Sequence, residues 1–83
     1  MTLDRIRLAK KRTIGTNQTT KALLQSIAKE IYVAKDADQH VIAPVISLAQ
    51  EKGISVLWVE SMKSLGKACG IEVGAATAAV VED

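Results

Sequence analysis

The sequence predicts a layered α/β sandwich, and three observations carry that expectation. Short apolar runs suited to buried strands alternate with segments whose apolar residues recur at helical spacing. Helix-capping or helix-stopping residues stand at the junctions: Thr16 or Asn17, Gly53, Ser61 and Gly70. The composition, 48% hydrophobic and 24% charged, is that of a folded domain and not of a disordered tail. At 83 residues the chain is expected to form one domain spanning 1–83, with a radius of gyration of ~12 Å.

In chain order, Asp4 to Lys11 reads as a short helix with Ile6 and Ala9 inward and its basic residues outward. Thr13-Ile14 is a short strand, and Gly15 breaks the chain. The next helix starts at Thr16 or Asn17 and runs to about Lys29, with Leu23, Leu24, Ile27 and Ala28 as its apolar face. Ile31 to Ala34 suits a strand buried on both faces. Asp36 to His40 connects it to a helix from about Ala43 to Lys52, with Pro44 in the first turn and Val45, Leu48 and Ala49 inward. Ile54 to Val59 is the clearest strand, Met62 to Cys69 a fourth helix, and Val73 to Val81 a last strand of small apolar residues. Helices alternating with apolar strands stack as layers.

Several function classes drop out early. Cys69 is the sole cysteine and His40 the sole histidine, so neither an intrachain disulfide nor a cysteine/histidine zinc site can form. Cys69 lies on the apolar side of its helix and reads as a buried, inert thiol. His40 has no nucleophile close in sequence. Asp36 and Asp38 read as a solvated turn before a helix, not as a cation site. Gly66, Gly70 and Gly74 lack the dinucleotide-binding spacing; Gly70 reads as a helix stop and the other two as close-packing points. No enzyme, cofactor or metal is expected. Trp58 and Tyr32 are the only aromatics, too few for a sheet face that stacks bases if either ring enters the core. No targeting segment or membrane span is visible, which points to the cytoplasm.

Charge is uneven along the chain. Residues 1–35 carry eight Lys or Arg against two acids, whereas residues 36–83 carry three Lys against seven acids. A polyanion partner and a solvated basic helix both fit this basic half. The segment Lys10 to Lys21 narrows the choice. It places a glycine, amide and hydroxyl side chains and a lysine at the start of a helix, where free N–H groups and the positive dipole end suit a phosphate. Asn17 and Gln18 carry the donors and acceptors needed to read base edges. Lys21 lies one turn beyond Asn17 on the same face.

Gly15-Thr16-Asn17-Gln18-Thr19-Thr20-Lys21-Ala22-Leu23 resembles the signature of the kink-turn RNA-binding ribosomal proteins, the L-seven-Ae and L-thirty-e type. Val33 to Asp38 resembles that family's second strand and acidic turn, and Val59 to Gly70 its second RNA-binding loop and following helix. The resemblance covers nearly the whole chain and is similar in length to the small stand-alone bacterial members.

The resemblance implies a three-layer α-β-α sandwich with a small four-stranded mixed sheet. It also implies a partner: structured RNA containing a kink-turn, whether ribosomal, messenger or riboswitch, and with it a place near the ribosome. A kink-turn is a helix–bulge–helix held bent by tandem sheared G·A pairs. By position, Asn17 and Gln18 would contact those bases, Lys21 a guanine or a phosphate, and Gly15 and Thr16 would bring the backbone close. Val59, Glu60, Ser61 and Met62 would pack on the bulged nucleotides, with Met62 expected to face solvent until a base covers it. Lys10, Lys11, Arg12 and Lys35 would supply charge to phosphates, provided the fold brings them to one side. The chain departs from the family where it has Gln18 in place of a frequent Glu and Glu60 in place of a frequent proline. A protein–protein module on the same fold is the alternative of a different class.

Overall fold

The computed structural model describes residues 2–82; Met1 and Asp83, the ends of the expected 1–83 span, lie outside the described residues. Its elements are α1 (Thr2–Leu8), β1 (Lys11–Ile14), α2 (Thr16–Leu24), β2 (Glu30–Ala34), α3 (Gln39–Glu51), β3 (Ser55–Val59), α4 (Met62–Ala68) and β4 (Thr77–Glu82). The radius of gyration is 11.0 Å, slightly tighter than the length alone suggests.

The four strands form one sheet in the order β1-β4-β2-β3. β4 runs antiparallel to both neighbours, while β2 and β3 are parallel, so the sheet is mixed. Parallel β2 and β3 require a crossover, and α3 supplies it. Alternation along the central strands splits the core in two. Ile31, Val33 and Ala79 face α2 and α3, where they meet Leu23, Ile42, Val45 and Ala49. Tyr32, Ala78 and Val80 face α1 and α4, where they meet Ile6, Leu65 and Cys69. This is the expected three-layer sandwich. Each large aliphatic side chain so buried contributes about 1.5–3 kcal/mol. Tyr32 is fully buried, and its hydroxyl donates to Glu30 Oε1 at 2.7 Å.

Several boundaries differ from the sequence reading. α1 ends at Leu8 and not Lys11, because Lys11 enters the sheet opposite Glu82. α2 stops at Leu24, five residues before Lys29: Gln25 caps it and Ser26 turns the chain through a left-handed conformation, φ +59°. Leu24 and Ile27 are therefore exposed, not inward. α3 starts earlier than expected, because Asp38 Oδ1 accepts the His40 N–H at 2.7 Å and caps it. Pro44 then lies inside the helix and offers no N–H to the His40 carbonyl; both residues are exposed, so water can take that bond. The last strand starts at Thr77, and Val73 is an exposed loop residue.

β1 is parallel to β2, since each is antiparallel to β4. The C-terminal ends of β1, β2 and β3 thus share one end of the sheet with the start of β4. From that end the chain enters α2, α3 and α4.

Candidate nucleic-acid interface

At the first junction Gly15 holds φ +92° and ψ 162°, a region essentially closed to other residues. Its N–H donates to the Thr77 carbonyl at 2.9 Å, extending the pairing with β4, and its carbonyl accepts the Thr19 N–H at 3.1 Å, the first bond of α2. Gly15 is itself the N-cap, so neither Thr16 nor Asn17 caps the helix as the sequence suggested. A side chain at position 15 would meet nothing within 4 Å, so the backbone there is open to the outside. Thr19 is buried, its hydroxyl 2.9 Å from that of Thr13, and this pair pins α2 onto β1. Asn17, Gln18 and Lys21 are consequently left on the exposed side of α2, with Thr16 half-buried. Gln18 Oε1 also accepts the Ile14 N–H at 3.4 Å, a weak bond that a ligand could replace.

At the second junction Val59 is buried, and its carbonyl accepts the Lys35 N–H at 2.8 Å. Glu60 is exposed. Ser61 caps α4, as expected, by accepting the Ser64 N–H at 3.1 Å. Met62 is half-buried against the core, which corrects its expected solvent-facing position. Its N–H donates to Asp36 Oδ1 at 2.8 Å, and its carbonyl accepts the Ala75 N–H at 3.0 Å. Gly66 and Gly74 are close-packing points: a Cβ on Gly66 would run into the Val73 carbonyl, and one on Gly74 would sit 3.0 Å from Met62 Cβ.

The fold therefore brings Gly15, Thr16, Asn17, Gln18 and Lys21 to the same end of the sheet as Val59, Glu60, Ser61, Met62 and Lys35. It does not bring Lys10, Lys11 and Arg12 there. Lys11 pairs with Glu82 at the far end of the sheet, its Nζ 3.9 Å from the carboxylate. The Arg12 guanidinium lies between the ends of α4 and α1, donating to the carbonyl of Cys69, the C-cap of α4, at 3.0 Å and to the Ile6 carbonyl at 3.4 Å. Asp36, read from the sequence only as part of a solvated turn, is at this end the residue whose carboxylate ties two loops together. The signal was its place in the acidic turn after β2, but nothing in the sequence says which loop its carboxylate reaches.

Other sequence readings meet the structure here too. Cys69 is buried, and burial pushes its thiol pKa up despite the nearby Arg12 charge. Tyr32 does enter the core, whereas Trp58 is 47% exposed on the edge strand β3, leaving one accessible ring. Among the described residues no group of three His, Cys, Asp or Glu is placed to hold a metal ion, and no helix is long and apolar enough to cross a membrane.

Residues 2–83 match the model of the Ribosomal protein L7Ae/L30e/S12e/Gadd45 family. The chain belongs to this family. An RNA-binding protein of Bacillus pumilus is 57% identical over 81 residues, covering 98% of this chain and 99% of that one. The large ribosomal subunit protein eL8 of Halobacterium salinarum is 47% identical over 68 residues, which is 81% of this chain and 57% of the longer relative. The Giardia lamblia 15.5kD RNA binding protein superposes with a TM-score of 0.88 over 99% of this chain and 72% of its own, at 22% identity, a match of fold.

Proposed function

We propose that this protein binds structured RNA and holds a kink-turn in its bent form, in the cytoplasm and in association with ribosomal or other structured RNA. The observation that carries the reading is the meeting of the two family blocks at one end of the sheet. Gly15 leaves β1 and Glu60 leaves β3, three strand spacings apart, or about 14 Å. A ligand touching both must span that distance, as a folded nucleic acid does. Family membership and relatives described as RNA-binding proteins support RNA as that ligand.

The proposed mechanism is binding without chemistry. The α2 start, with Asn17, Gln18 and Lys21 exposed, enters the groove that the sharp bend widens; ordinary A-form RNA keeps that groove too narrow. Asn17 and Gln18 read the sheared G·A edges, and Lys21 meets a guanine or a phosphate. The Val59–Met62 loop covers the bulged nucleotides through Glu60, Ser61 and the accessible part of Met62, with Val59 buried beneath them. Because these contacts exist only in the bent form, the protein shifts the RNA equilibrium by its differential affinity. Lys35 adds phosphate charge at this end; Lys10 and Lys11 act only on RNA that extends past the far end of the sheet.

The test is a titration of a kink-turn RNA and of the same RNA with both G·A pairs replaced by Watson–Crick pairs, at low and at physiological salt. The kink-turn RNA should keep a specific complex at physiological salt. The altered RNA should show only weak binding that salt removes. Equal binding at physiological salt refutes the kink-turn reading and returns weight to a protein-interaction role.

A further inference from the structure

Three acidic residues stand at the proposed RNA-binding end: Asp36, Asp38 and Glu60. Each disfavours phosphate through simple repulsion. Asp38 caps its own helix, and Glu60 points from an exposed turn. Asp36 differs, because its Oδ1 reaches out of its own loop to accept the Met62 N–H at 2.8 Å, twenty-six positions along the chain.

That bond completes a brace around the second loop. The Lys35 N–H holds the Val59 carbonyl at 2.8 Å, the Ala75 N–H holds the Met62 carbonyl at 3.0 Å, and the Ala34 N–H holds the Ala76 carbonyl at 2.9 Å. The segments 34–36, 59–62 and 75–76 thereby fix one another. Two ends of the 59–62 loop are held by backbone alone. The Met62 N–H opens α4 and has no partner within the helix, and the Asp36 side chain takes it.

We propose that Asp36 is the positioning residue for the Val59–Met62 loop, locking it before RNA arrives in the shape that covers the bulged nucleotides; this rests on the RNA reading above. A loop ordered in advance loses less freedom on binding, so the bond acts on affinity without Asp36 touching RNA.

The test uses Asp36→Ala and Asp36→Asn in the full chain. Asp36→Asn keeps the Oδ1 acceptor and drops the charge. Asp36→Ala drops both. Amide exchange of the free proteins is measured first: the Met62 N–H should exchange faster in Asp36→Ala and remain protected in Asp36→Asn. Kink-turn RNA titrations on the folded variants should then show Asp36→Ala weaker by about fivefold, the size of a lost capping bond, and Asp36→Asn at least as tight as the parent. Tighter binding by both variants would assign Asp36 repulsion alone and overturn the proposal. So would parent-like affinity in Asp36→Ala despite faster Met62 exchange. A parent protein that does not distinguish kinked from altered RNA overturns the RNA reading itself, and the positioning role with it, whatever the exchange data show.

Discussion

Replacing Gly15 and Gly53 by alanine, one at a time, separates backbone strain from crowding. Both glycines have positive φ, +92° and +72°, and a Cβ at either position would meet nothing within 4 Å. Neither substitution can therefore act through a clash. Gly53 follows α3 at the end of the fold away from the interface, in the left-handed region that ends many helices; alanine there costs about 1 kcal/mol. Gly15 combines φ +92° with ψ 162°, outside that region and nearly glycine-only, so alanine costs up to about 3 kcal/mol. For a domain of this size each kcal/mol lowers Tm by about 4–8 °C. Gly53→Ala should thus melt several degrees lower, and Gly15→Ala lower by up to about three times as much. The second measurement is RNA affinity at a temperature where both variants are folded. Gly53→Ala should bind kink-turn RNA as the parent does. Gly15→Ala, and more so Gly15→Val, should bind more weakly, because the residue that sets the start of α2 would lie against RNA. Equal melting temperatures would refute the strain argument. Unchanged RNA affinity in folded Gly15→Val would refute close backbone approach.

Lys21→Ala should weaken RNA binding by about 1–3 kcal/mol without moving Tm, since Lys21 is exposed; unchanged affinity would remove it from the interface. Thr77 is fully buried with its hydroxyl unpartnered, so Thr77→Val should raise Tm in a thermal melt, and a fall would reveal a buried water as its partner. Met62→Asp should lower both Tm and RNA affinity, because the side chain packs on the core beside Gly74; an unchanged denaturant midpoint would show the side chain to be dispensable to packing. Burial raises the Cys69 pKa, so its thiolate fraction at neutral pH is depressed and alkylation by iodoacetamide should be slow in the native protein and fast once denaturant is added.

The layering was legible in the sequence because strands and helices carry different periods. Ile31 to Ala34 could be recognised as a buried strand, and Ser61 and Gly53 as helix punctuation, from chemistry alone. The end of α2 was not legible. Leu24 and Ile27 continue the helical spacing, and the stop comes from Ser26 in a left-handed conformation that serine rarely adopts. Pro44 concealed the start of α3, since a proline is expected near a helix start and here lies within the helix. In the candidate site, Asn17, Gln18 and Lys21 could be found as a polar helix start. The commitment of Arg12 to carbonyls at the ends of α1 and α4 could not, because a guanidinium that caps a helix and one that awaits a phosphate look the same in a string of basic residues. The Asp36–Met62 bond is a tertiary fact, set by the parallel placement of β2 and β3.

The central position of β4 has a bearing on how the molecule comes into being. β1 touches no other strand: Ile14 pairs with Ala78, and Gly15 leans on Thr77. A growing chain that stops short of Thr77 leaves β1 with no strand to pair with, while β2 and β3 can already pair around α3 and α2 can pack on that helix. Such late, long-range closure carries a large loop-entropy cost and slows folding. The Gly15 junction, part of the end proposed to meet RNA, is thus among the last features to be set, completed only as β4 is laid into the middle of the sheet.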